Sequence, residues 1–107
     1  MSTKKQIQNA EWQERIQTFS SGNRGRKAAI AVEGMILAEN QVFRDIEYDP
    51  VGKGNDLIVT LGHMEDMFTH TIAAPAALYI HQESNGVVDA LEVVDGKGGT
   101  TFLRLLN

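Results

Sequence analysis

Apolar and polar positions alternate with a period of two along most of this chain and with a helical period only once. Trp12, Ile16 and Phe19 recur at i, i+4 and i+7, which places three large side chains on one stripe of an α-helix. The spacing predicts an amphipathic helix over 9–20, with Asn9 as its N-cap and Ser20-Ser21-Gly22-Asn23 stopping it. Three side chains make a narrow stripe, so this helix needs a sheet to lie on.

From Arg26 onward the period is two. Ala28, Ile30 and Val32 form a first strand that Gly34 ends, and residues 42–49 form a second. Strict alternation along the second puts Ile46 and Tyr48 on one side and Phe43, Asp45, Glu47 and Asp49 on the other. Residues 50–55, PVGKGN, are dense in turn formers, and Leu57, Val59 and Leu61 alternate directly after them, which predicts a hairpin. In MFTHTIA, 67–73, Phe68, His70 and Ile72 share one face while Met67, Thr69 and Thr71 share the other. Pro75 has no N–H for a ladder and marks a bend, bulge or strand edge. Leu78 and Ile80 then face inward, with Tyr79 and His81 on the opposite side. Asn85-Gly86 predicts a tight primed turn. Leu91 and Val93 begin the next strand, DGKGG at 95–99 turns again, and 100–106 closes the chain as a strand.

The pattern predicts one mainly β (α+β) domain spanning 1–107: a flexible segment over 1–8, the helix over 9–20, and antiparallel β structure over 26–107. Six or seven short strands joined by Gly, Asn and Asp turns form a meander, which curls into a small barrel or a strongly bent sheet with the helix on one face or end. No internal repeat or low-complexity segment interrupts it.

Composition narrows the chemistry. With no cysteine, disulfides, thiolate metal clusters and cysteine nucleophiles are excluded. No apolar run reaches the roughly 18 residues that span a bilayer. The Lys4-Lys5 pair has no apolar segment after it, so the start does not read as a secretory signal, and a cytoplasmic location with no membrane contact is expected. Net charge is −4, but residues 1–27 carry six bases against two acids while the rest carry four against twelve. That asymmetry fits a helix lying on its own acidic body better than an arm for nucleic acid, because Trp12 belongs to the packed stripe. RNA-binding barrels need a basic surface and stacking aromatics, which this acidic body with dispersed Phe43, Tyr48, Phe68, Tyr79 and Phe102 does not offer.

Three groupings could carry chemistry. His63, Met64, Met67 and His70 mix imidazole and thioether ligands, but alternation sends Met67 and His70 to opposite faces of one strand. His70 by itself, between Phe68 and Ile72, is expected to be mostly buried and hydrogen-bonded, either as a core histidine or at a pocket shared with Phe68 and His81. Asp45, Glu47 and Asp49, with Asp56 across the hairpin or His63 beyond it, could hold a hard cation; the plainer account is a solvated strand face. In SGNRGRK, 21–27, Arg24, Arg26 and Lys27 could contact an anion or nucleic acid. That loop leaves a helix and enters a strand, however, whereas phosphate loops run into a helix N-terminus. Every serine lies in a terminus or turn, without a nucleophile elbow. No metal or cofactor is expected.

The blocks DIEYDP at 45–50, DLIVTLG at 56–62, FTHTIAAP at 68–75 and DALEVVDGKGGTTFLRL at 89–105 resemble a family of short bacterial proteins classed only as a domain of unknown function. The resemblance implies a small bacterial β domain and transfers no catalytic residue. The expected function is a non-catalytic module that binds a protein partner or self-associates. The alternatives are an acid/base or metal-dependent enzyme or small-ligand binder centred on His70 with nearby carboxylates (Asp45, Glu47) or His81, and nucleic-acid binding through the basic N-terminal segment.

Overall fold

The computed structural model describes residues 3–49 and 52–106. Eight strands and one helix follow in the order β1 (Thr3–Ile7), α1 (Trp12–Asn23), β2 (Lys27–Val32), β3 (Met35–Asp49), β4 (Asp56–His63), β5 (Asp66–Ala73), β6 (Pro75–Gln82), β7 (Val88–Asp95) and β8 (Thr100–Leu106). All pairings are antiparallel, in one sheet ordered β1-β6-β7-β8-β2-β3-β4-β5. The sheet is bent but open. Strands β1 and β5 are its two edges, so the barrel alternative is replaced by the bent sheet.

Seven strands follow the helix as the alternation predicts, and one precedes it. Residues 1–2 of the expected flexible start lie outside the described residues, and residues 3–7 are instead β1, which pairs with β6 from Thr3↔Gln82 to Ile7↔Leu78. Only Ile7 of this strand is buried, so TKKQI carries almost no apolar signal of its own. It becomes a strand because β6 offers an edge to pair with.

The helix also shifts. Asn9–Glu11 form a 3₁₀ turn, and α1 starts at Trp12 and runs through Ser20-Ser21-Gly22 to Asn23. Asn9 makes no cap, since neither helical start has a side-chain cap hydrogen bond. Trp12, Ile16 and Phe19 are buried as predicted. Trp12 stacks edge-on against Tyr48 at 5.5 Å and Phe19 against Phe43 at 5.8 Å. Ser20 adds a polar pin: its hydroxyl accepts the Ile46 N–H at 3.2 Å and donates to Asp45 Oδ1 at 2.5 Å.

Strand β3 is the corner. It pairs with β2 through Val42 and with β4 from Phe43 on, and its register slips three times. Each slip inserts an extra residue that bends the strand. The slip between Phe43 and Asp45 reverses the predicted phase, so that Phe43 and Ile46 are both buried while Asp45 stays outside. Strict alternation placed Phe43 with the acids, and the extra residue Arg44 corrects it. The β2–β3 turn has Glu33 and Gly34 both at positive φ, 51° and 80°, the conformation a two-residue hairpin requires. Strand β3 therefore begins seven residues earlier than the alternation indicates, exposing Met35, Ile36 and Leu37 at the hairpin end.

At the 83–87 turn only Gly86 has positive φ, and its N–H bonds Glu83 O at 2.9 Å. This is a type I turn closed by a glycine bulge in place of the predicted primed Asn-Gly turn. The core runs through Ile30, Phe43, Leu57, Val59, Leu61, Leu78, Leu91 and Leu103, between the concave sheet and α1.

Candidate functional site

Strand β5 is one of the two edges of the sheet. It pairs with β4 in one unbroken register from Asp56↔Ala73 to His63↔Asp66. Beyond that ladder the Ala74 N–H donates to Asn55 O at 3.0 Å, continuing the same register. Backbone groups of successive strand residues point in opposite directions in the sheet plane. Phe68, His70 and Ile72 therefore turn their amides toward β4, while Met67, Thr69, Thr71 and Ala73 turn theirs outward. Among the described residues those four outward-facing positions have no hydrogen-bond partner on that side. Among the described residues no other strand or helix pairs with this edge, although Val32, Thr101 and the 95–97 turn share a concavity with Thr71, Ala73 and Ala74 at its C-terminal end.

The side chains show the same incompleteness. Inner-face residues of β4, namely Leu57, Val59 and Leu61, are 0–1% exposed, whereas Phe68 and His70 beside them on β5 are only half-buried. His70 lies on the predicted inner face, but among the described residues no group hydrogen-bonds its ring, contrary to the paired histidine expected. Burial pushes the imidazole below the usual histidine range, so its neutral form is favoured. It borders a small concavity of about 310 Å³ with Val32, Ile72 and Thr101, whose charged members are Asp95 and Lys97.

His81 lies elsewhere. On the outer face of the sheet its Nε2 donates to Glu92 Oε1 at 2.9 Å. Lys4 of β1 approaches the same oxygen at 3.2 Å and sits 4.3 Å over the Tyr79 ring. Burial works to raise the Glu92 carboxyl, but hydrogen bonds from His81 and Lys4 and their charges outweigh it and hold the group below its ordinary value. This triad clamps β1 onto β6 and β7. His81 also borders a concavity of about 580 Å³ with Arg26, Asp89, Phe102 and Arg104. His70 and Phe68 do not line it, so the structure does not bring the three expected pocket residues together. Sequence reasoning placed His81 outward but missed Glu92; folding the chain at the Asn85-Gly86 turn pairs His81 with Ala90 and Tyr79 with Glu92, which puts the acid diagonally in reach.

The other candidates are dispersed or occupied. Asp45 accepts from Ser20 and from Arg24 Nη2 at 3.3 Å; burial works to raise its carboxyl, but those bonds and the Arg24 charge outweigh it and hold the group below its ordinary value. Glu47 and Asp49 line a shallow groove against α1, and His63 is exposed at the far end of β4. Among the described residues no three His, Asp or Glu side chains are grouped to hold a metal ion. Arg24 also binds Arg44 O at 3.1 Å, and Arg26 binds Asn23 Oδ1 and Val88 O at 2.9 and 2.7 Å, so both guanidinia fasten the connector to the body. Lys27 is exposed at the start of β2. Met64 and Met67 are 79% and 52% exposed, on the turn and outer face of β5.

No curated protein and no solved structure matches the chain. A family model does, over residues 3–107, which takes in every strand and the helix. The chain belongs to that family, a family of unknown function, DUF5335.

Proposed function

We propose that this protein is a non-catalytic binding module that takes an extended polypeptide segment onto the outer edge of β5. The observation that carries this reading is the row of outward backbone groups at Met67, Thr69, Thr71 and Ala73, on a strand with no charge from Met67 through Ala73. Exposed edges are ordinarily blunted by lysine, proline, shortness or a covering element. The opposite edge follows that rule, for β1 has five residues and carries Lys4 and Lys5. Strand β5 does not, and a long neutral edge is the surface that strand addition uses, with main-chain bonds giving affinity and alternate side chains giving selectivity.

A labelled peptide copying residues 66–73 and a set of unrelated eight-residue peptides rich in Thr and Val are the appropriate probes. Binding is expected for extended peptides and is expected to vanish when the peptide amides that face β5 are N-methylated. Absence of binding by every extended peptide, or binding indifferent to N-methylation, would overturn the reading.

A further inference from the structure

We propose that the strand taken up by β5 is the β5 of a second copy, paired antiparallel about a two-fold axis through His70. This deepens the edge-binding reading and rests on it. The segment is close to a palindrome: Phe68-Thr69-His70-Thr71-Ile72 reads apolar, Thr, His, Thr, apolar from either end. Two antiparallel copies centred on His70 set Thr69 against the partner copy's position 71, Phe68 against position 72 and Met67 against position 73. Aromatic against β-branched and Thr against Thr are favourable cross-strand pairs.

The backbone fits the same register. The pairs 69 with 71 and 67 with 73 bring together only residues whose N–H and C=O groups point outward, leaving His70 at a position without main-chain bonds on the axis. Sliding the axis to Thr69 sets the acids Asp66 and Glu65 against the strand, and sliding it to Thr71 carries Met67 beyond the end of β5, where the chain turns at Ala74 into β6. Only the His70 register maps the uncharged run 67–73 onto itself. The acids of the two copies are not set opposite each other, because Asp66 falls opposite Ala74, where the chain turns at φ +50° into β6. A second strand would also complete the burial of Phe68 and His70, the half-exposed members of the inner face. Such an isologous contact closes at two copies.

Two neutral imidazoles on the axis can share a hydrogen bond, whereas two imidazolium ions repel. The charged groups facing His70 across its concavity are Asp95, whose carboxylate is engaged by the Lys97 and Gly99 amides, and Lys97. Val59 opposite it on β4 is apolar.

Sedimentation velocity over a concentration series up to about 0.1 mM, where even micromolar association is saturated, tests the pairing on the full chain. A monomer–dimer equilibrium is expected. Thr69→Pro removes an outward N–H, leaves the β4 ladder whole, and should give a monomer with an unchanged circular dichroism spectrum. Thr69→Lys with Thr71→Lys should weaken association roughly tenfold or more by placing like charges opposite, while Thr69→Lys with Thr71→Glu should restore it. Lowering the pH from about 7.5 to about 5.5 should weaken the wild-type dimer and leave a His70→Gln dimer unaffected. A wild-type monomer throughout, open-ended growth with concentration, or a dimer indifferent to Thr69→Pro would overturn the proposal. Failure of self-association while extended peptides still bind would sink the two-fold pairing and spare the edge-binding reading; failure of both would sink both.

Discussion

Trp12→Ala is expected to cost about 3–5 kcal/mol of folding stability, the range for emptying a large aromatic site in a packed core. Trp12 is 2% exposed and meets three elements at once. Its ring abuts Tyr48 of β3, its Nε1 donates to Ile7 O of β1 at 2.9 Å, and its own helix depends on it for a third of a narrow apolar stripe. Small domains have only about 5–15 kcal/mol in total, so this loss takes roughly a fifth of the margin at the least. Urea unfolding followed by circular dichroism measures it, because the variant removes the chain's one tryptophan and with it the fluorescence probe. Trp12→Phe retains most of the buried ring and forfeits the indole hydrogen bond, for an expected cost of about 1–2 kcal/mol. If the alanine variant lost less than the phenylalanine variant, the indole would not be the joint between α1, β1 and β3.

Gly62→Ala is the second large effect. Gly62 sits inside β4 at φ +98°, and an added Cβ would lie 2.5 Å from the Asp66 carbonyl oxygen. That oxygen is backbone in the neighbouring strand, so relief requires the β4–β5 end to shift. The strained φ costs about 1–2 kcal/mol and the collision adds a comparable amount, giving roughly 2–4 kcal/mol. Gly86→Ala is the matched control, since its φ of +88° is similarly strained but its Cβ would meet nothing within 4 Å. The difference between the two variants isolates the clash. Equal losses would mean that β4 and β5 are not in close contact at this point.

What the sequence makes legible follows physical range. The Trp12, Ile16, Phe19 stripe and the period-two strands rest on contacts a few residues apart, and they form, though α1 is shifted to Trp12–Asn23 and β3 starts at Met35. The inner placement of Phe68, His70 and Ile72 is likewise correct, because β5 is regular and free of bulges. Phe43 was placed wrongly because one extra residue at Arg44 reverses the alternation, and a bulge has no reliable signature in a single sequence. Strand β1 was invisible because its order comes from β6, about 75 residues away in the chain. The candidate edge was half visible. MFTHTIA reads as a neutral strand from composition alone, but that its outer side lies bare depends on the whole strand order.

Amide hydrogen exchange along β5 tests that bareness most directly. In dilute solution the Phe68, His70 and Ile72 amides, bonded to β4, should exchange slowly, while those of Met67, Thr69, Thr71 and Ala73 exchange fast and gain protection only as a strand is added. Uniform slow exchange across residues 67–73 in the dilute protein would contradict the account, because the edge would then already be covered.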